Sequence, residues 1–252
     1  MINISVVSYL NSLPFLYGIN SSKFFKDINL TTELPFESAN SFKNGRADIA
    51  LVPVGSLPLL SNYKVISDYC IGSDGPVRTV LLLSNTELPK IKTIHLDFHS
   101  LTSVKLVKIL AESFWKISPH YINTSINKYV DNHHFESAVL IGDKTFELVN
   151  QYKYSYDLAE EWKKYTGLPF VFACWVGKEN ISSEIVDALN SAFKFGIENL
   201  DFVAEKYKDQ IILTKSEILS YYNENIKYHL GEEQKKSMDK FLSMLKLSKM
   251  YI

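Results

Sequence analysis

Ser73-Asp74-Gly75-Pro76-Val77-Arg78-Thr79-Val80-Leu81-Leu82-Leu83-Ser84 is a polar turn that delivers an apolar run. Glycine takes backbone angles closed to other residues, and proline fixes its own φ and restricts the residue before it. Such a stiff turn either presents backbone groups to a ligand or simply feeds a core strand. A second long strand-like run, Leu168-Pro169-Phe170-Val171-Phe172-Ala173-Cys174-Trp175-Val176, lies downstream. Taken as 77–84 and 168–176, the two runs bracket a middle block. That arrangement predicts an α/β protein of two lobes, joined by two crossing strands and parted by a central cleft. The expected division sets residues 1–84 with 177–252 against 85–176.

The flanking pattern alternates. Residues 2–8, 28–34 and 48–54 read as strands, with a further short one at 65–67. Asn11 or Ser12 can cap a helix whose first turn accepts Pro14, and residues 38–43 form another helical stretch ending near Gly45. In the middle block, 92–96 and 138–141 read as strands. Residues 102–114 carry an apolar stripe at helical spacing, and 158–165 forms a helix that stops at Gly167. From Ser182 onward the chain reads as mostly helical. Strands alternating with helices predict parallel pairing through right-handed crossovers.

With 252 residues and 46% hydrophobic content, the chain can bury a sizeable core. A net charge of -1, with only Arg46 and Arg78 among many lysines, gives no bulk attraction for nucleic acid or an anionic membrane. The two cysteines, Cys70 and Cys174, make neither a disulfide framework nor a metal motif. The opening residues read as a first strand rather than a signal peptide, so a cytoplasmic protein is expected. His95, His99, His133 and His134 lack the spacing and companions of a metal site, and no nucleotide-binding or nucleophile motif is present. Neither a metal nor a cofactor is expected.

Polar loops fall where strands should end, at 8–12, 73–76, 97–103 and Gly142-Asp143. If they converge, they line a cleft with hydroxyls, an amide and helix N-termini, a setting that receives carboxylates. In a strand, Arg78 and Thr79 point to opposite faces, so one reaches the cleft and the other does not unless a bulge intervenes.

Several segments together resemble one family. They are Val7-Ser8-Tyr9-Leu10-Asn11-Ser12-Leu13-Pro14, Arg46-Ala47-Asp48-Ile49-Ala50-Leu51-Val52-Pro53, and Ser67 through Val77. They continue with Leu140-Ile141-Gly142-Asp143, Asp157 through Trp162, and Thr166 through Ala173. In this order they are similar to the chorismate dehydratases of the futalosine route to menaquinone. The resemblance implies a type II periplasmic-binding-protein-like fold used as a lyase, with chorismate as its small-molecule partner and no cofactor. The family's motif asparagine falls on Asn11, and its hydroxyl residue on Thr79, where other members often carry serine. Asn11 and Thr79 are the expected catalytic pair. Ser8, Tyr9, Ser56 and Gly75 are expected to bind substrate. So are Ser100, Thr102 and Ser103, at the family's carboxylate-binding helix start, together with Asp143. The substrate's own carboxylate or Asp143 is the expected base. The competing expectation is a non-catalytic small-carboxylate-binding protein of the same fold.

Overall fold

The computed structural model describes residues 1–26, 28–97, 100–124 and 135–248. His99, His133 and His134 therefore lie outside the described residues, as does part of the loop 97–103. Among the described residues, eleven strands form two sheets.

The first sheet has the order β11-β4-β10-β3-β1-β2. Its strands are β1 (Ile2–Val7), β2 (Ile28–Glu33), β3 (Ile49–Pro53), β4 (Tyr63–Ser73), β10 (Phe170–Lys178) and β11 (Lys227–His229). β3 is buried at every position, as its unbroken apolar run requires of a strand covered on both faces. The second sheet has the order β7-β6-β8-β5-β9. It holds β5 (Val80–Ser84), β6 (Thr93–Asp97), β7 (His120–Thr124), β8 (Ser137–Ile141) and β9 (Tyr154–Asp157).

The expectation of parallel pairing holds for only part of each sheet. β1 runs parallel to β2 and β3, and β6 runs parallel to β7 and β8. β10 is antiparallel to both β3 and β4, and β5 is antiparallel to β8 and β9. The reason is topological. β5 and β10 each enter from the other sheet, so no crossover helix within their own sheet sets their direction. The two long runs also pair within one sheet each, β5 in the second and β10 in the first. Cys70 and Cys174 are direct partners across β4 and β10, and both are buried free thiols.

The expected strand from residue 77 begins only at Val80. Arg78 takes φ 65°, a left-handed value unusual for a residue with a side chain. Asp157 holds it there: its carboxylate accepts the Arg78 N–H at 2.6 Å. The same carboxylate accepts Ala159 and Glu160 N–H groups at the start of the helix Leu158–Thr166. Simple alternation along 77–84 is thereby broken. Thr79 turns inward and is buried, while the Arg78 guanidinium lies outside over the Phe146 ring, 5.3 Å from its centroid.

Helix α1 (Leu13–Ser21), which α2 (Pro35–Lys43) follows along the chain, packs against the long helix Ser183–Glu198 at glycine-to-glycine distance. A Cβ placed on Gly196 would overlap the Pro14 carbonyl, and one on Gly18 would overlap the Ala192 carbonyl. Both obstacles are backbone, so a side chain there must push the helices apart. Gly196→Ala is expected to destabilise the protein by about 1–3 kcal/mol, the usual cost of overpacking. Thermal denaturation should show a melting temperature lower by several degrees, and an unchanged value would contradict the close crossing.

Candidate active site

Between the two sheets lies a cleft of about 490 Å³, its open mouth included. One side is lined by Val7, Leu51, Pro53, Ile71 and Phe172 from the first sheet and its loops. The other is lined by Thr79, Val80, Ser100, Ser103, Ile141 and Gly142 from the second. Tyr9, Asn11 and Ser12 stand between them. Among the described residues, none that lines the cleft carries a formal charge.

Asn11 sits in a one-turn 3-10 helix, Leu10–Ser12, directly before α1. The Leu10 N–H and the Leu10 and Asn11 carbonyls of this turn are held from afar. The Leu10 N–H donates to both carboxylate oxygens of Asp143, at 3.1 and 3.2 Å. The Tyr222 hydroxyl donates to the Leu10 carbonyl, and the Tyr228 hydroxyl to the Asn11 carbonyl, each at 3.1 Å. The Asn11 amide nitrogen faces the Tyr221 hydroxyl at 3.5 Å, and its amide oxygen accepts from Ser12 at 3.1 Å. The Tyr221 hydroxyl also lies 3.0 Å from the Thr79 hydroxyl. Tyr221 and Tyr222 belong to a π-helical turn, Tyr221–Asn225. From the end of that turn, Asn225 donates to the Pro76 carbonyl at 2.9 Å. One C-terminal segment thus pins both the Asn11 turn and the turn that leads to Thr79.

Gly142 ends β8 with φ 76° and lets the Tyr9 ring lie against the backbone. A Cβ there would stand 2.6 Å from that ring. Burial, with Asp97 and Asp143 nearby, drives the Tyr9 phenol pKa upward, so it remains a neutral donor. Ser100 caps the helix α3 (Leu101–Ile109), accepting the Ser103 N–H at 3.4 Å, and the two hydroxyls lie 3.0 Å apart. The N-terminus of α3 therefore opens at the cleft wall, where its dipole favours an anion.

The structure brings together Tyr9, Asn11, Thr79, Ser100 and Ser103 on the cleft surface. The remaining expected residues are not among its lining. Ser8 is exposed and donates its N–H to the Glu33 carbonyl. Gly75 is buried, its carbonyl accepting from the Ser73 hydroxyl. Thr102 points backward, accepting the Gly55 N–H at 2.9 Å and donating to the Phe172 carbonyl at 3.1 Å. Ser56 is buried with an unpartnered hydroxyl. Asp143 holds the Leu10 N–H. Tyr221 is the site residue that sequence reading misses: it is fully buried, and its partners stand 142 and 210 positions away.

Among the described residues, no group of three His, Cys, Asp or Glu side chains is arranged to hold a metal. His95 pairs through Nδ1 with the Thr124 hydroxyl at 3.0 Å. No helix among them is long and apolar enough to cross a membrane.

Burial pushes the Asp143 carboxyl up to about 6, partly offset by the Leu10 N–H. A folded-state value above the unfolded one means the fold favours the protonated acid. Its stabilising contribution is full below about pH 4 and is lost as pH rises through the folded value. Between about pH 7.5 and 5 this group should add about 1 kcal/mol of stability. Asp143→Asn keeps an acceptor for Leu10 and cannot titrate. Its melting temperature should therefore rise less than the wild type's over that interval, by about 2–4 °C. Parallel curves would show that Asp143 is not held in this way.

A family model for menaquinone biosynthesis matches residues 2–247. A chorismate dehydratase from Thermus thermophilus is 27% identical over 202 residues, 73% of each chain. Among solved structures, protein AF1704 from Archaeoglobus fulgidus superposes with a TM-score of 0.81 at 15% identity, covering 99% of this chain and 98% of its own. The alkanesulfonate-binding protein SsuA from Xanthomonas axonopodis, bound to MOPS, gives 0.67 at 11% identity, covering 99% and 92%. The fold is thus the α/β, periplasmic-binding-protein-like one.

Proposed function

The chain belongs to the menaquinone biosynthesis family, and on that premise we propose that its cleft binds chorismate and removes water, giving 3-[(1-carboxyvinyl)oxy]benzoate. The observation that carries this reading is the meeting of Asn11 and Thr79, through Tyr221, at an uncharged cleft beside the N-terminus of α3. The kinship with a named chorismate dehydratase supports it. The two sheets then correspond to two lobes, and the reading carries with it a cytoplasmic location.

Chorismate has two carboxylates and a hydroxyl that leaves from the carbon beside an acidifiable ring C–H. Loss of that proton and of hydroxide makes the ring aromatic, so the driving force lies in the substrate. The protein must hold a dianion, exclude water, and stabilise charge as the C–H bond breaks. That charge delocalises into the ring carboxylate. Donors aimed at this carboxylate therefore strengthen in the transition state. Ser100, Ser103 and the first turn of α3 supply such donors without bringing a competing formal charge.

Among the described residues, none that lines the cleft is a carboxylate or histidine suited to serve as base. The enolpyruvyl carboxylate of the substrate takes the ring proton, oriented by the Asn11 amide. The hydroxide leaves as water, taking the ring proton that this carboxylate has carried, and the Thr79 hydroxyl on the cleft wall donates a hydrogen bond to the departing oxygen while keeping its own proton. Asp143, the other expected base, is occupied in holding the turn that carries Asn11.

The purified protein should convert chorismate to a substituted benzoate, read as loss of the diene absorbance, and added chelator should leave the rate unchanged. Asn11→Ala is expected to lower kcat by about 10²–10³, the loss typical of a preorganised donor. Binding of chorismate without turnover would replace the lyase with a carboxylate-binding protein.

A further inference from the structure

We propose that Tyr221 is a positioning residue that fixes the proton of the Thr79 hydroxyl for donation into the cleft; this rests on the dehydratase reading above. The Asn11 amide oxygen accepts from Ser12, so the amide nitrogen is the end turned to Tyr221. An amide nitrogen only donates. Tyr221 has one proton, and since the Asn11 nitrogen cannot accept it, the partner left to receive it is Thr79 Oγ1 at 3.0 Å. Thr79 thereby accepts, and its own proton is left to donate. Among the described residues that proton meets only a distant acceptor, the Val77 carbonyl at 3.4 Å. A substrate oxygen in the cleft can approach closer.

Tyr221 itself does not line the cleft. It acts through the two residues that do. Its ring is fully buried, with the Phe146 ring edge-on at 5.4 Å, so the hydroxyl has little freedom to seek other partners. Burial also drives its pKa upward, which keeps the phenol protonated. Tyr222 and Tyr228 differ in kind, since their hydroxyls end on backbone carbonyls.

Tyr221→Phe preserves the ring and its packing. With chorismate, kcat should fall about tenfold, the equivalent of one buried hydrogen bond lost, while KM stays within about twofold. A purely structural hydroxyl would lower the melting temperature and leave kcat alone. The second measurement is a double-mutant cycle with Thr79→Val, read both as kcat and as chorismate affinity by calorimetry. In the Thr79→Val background, Tyr221→Phe should change either readout by less than about twofold. Wild-type kcat in Tyr221→Phe, or a tenfold loss that persists in full without the Thr79 hydroxyl, would overturn the inference. A wild-type chain that leaves chorismate unconverted would overturn the dehydratase reading, and this one with it.

Discussion

Everything in the cleft depends on how the short turn Leu10–Ser12 is anchored. A backbone N–H or carbonyl removed from water must find a partner, or the fold pays for its desolvation. Here the partners come from Asp143 in the second sheet's loop and from Tyr222 and Tyr228 near the end of the chain. Because they act on backbone groups, they fix the position of Asn11 whatever its side chain does. The side chain is then oriented separately by Ser12 and Tyr221. Asp143 adds something the tyrosines do not: it ties a loop of one sheet to a turn of the other and so sets the width of the cleft.

The electrostatics follow from the same economy of charge. Acidic side chains surround the site, yet each is held away from the cleft by donors of its own. Asp97, wholly buried, pairs with Lys144 at 3.0 Å. Asp157 accepts the Arg78 N–H and caps a helix, and burial pushes its carboxyl up to about 6. A doubly negative ligand therefore meets hydroxyls, an amide and a helix N-terminus. Neutral donors of this kind exert no strong pull on the ground state, leaving room for interactions that tighten as charge moves.

Much of the frame was legible in the sequence because it is written locally. The apolar run at 48–54, Gly167 after a helical stretch and the apolar stripe over 102–114 each carry a short-range signal, and the structure places β3, the helix stop and α3 within or beside them. Arg78 is different. Nothing in its type announces a left-handed backbone; the cause is a carboxylate 79 positions away. Strands β7, β9 and β11 also lack a distinctive local pattern, since they are short edge strands with few buried positions. For the site, Asn11 and Thr79 stood out through resemblance and loop chemistry. Tyr221 did not, because one tyrosine among fifteen gains its meaning only from a tertiary neighbour.

The placement of β10 has a bearing on the order of events at the ribosome. The second sheet draws its strands from one uninterrupted stretch, 80–157, and all of them emerge before the first sheet is complete. The first sheet, begun by the earliest residues, waits with β3 and β4 unjoined until Phe170–Lys178 arrives to fill the gap between them. Tyr221, Tyr222 and Tyr228 then close over the much earlier turn, so a nascent chain not yet extended past residue 220 has the cleft wall and the Asp143 bond but lacks the three hydroxyls that complete the hold on Leu10 and Asn11.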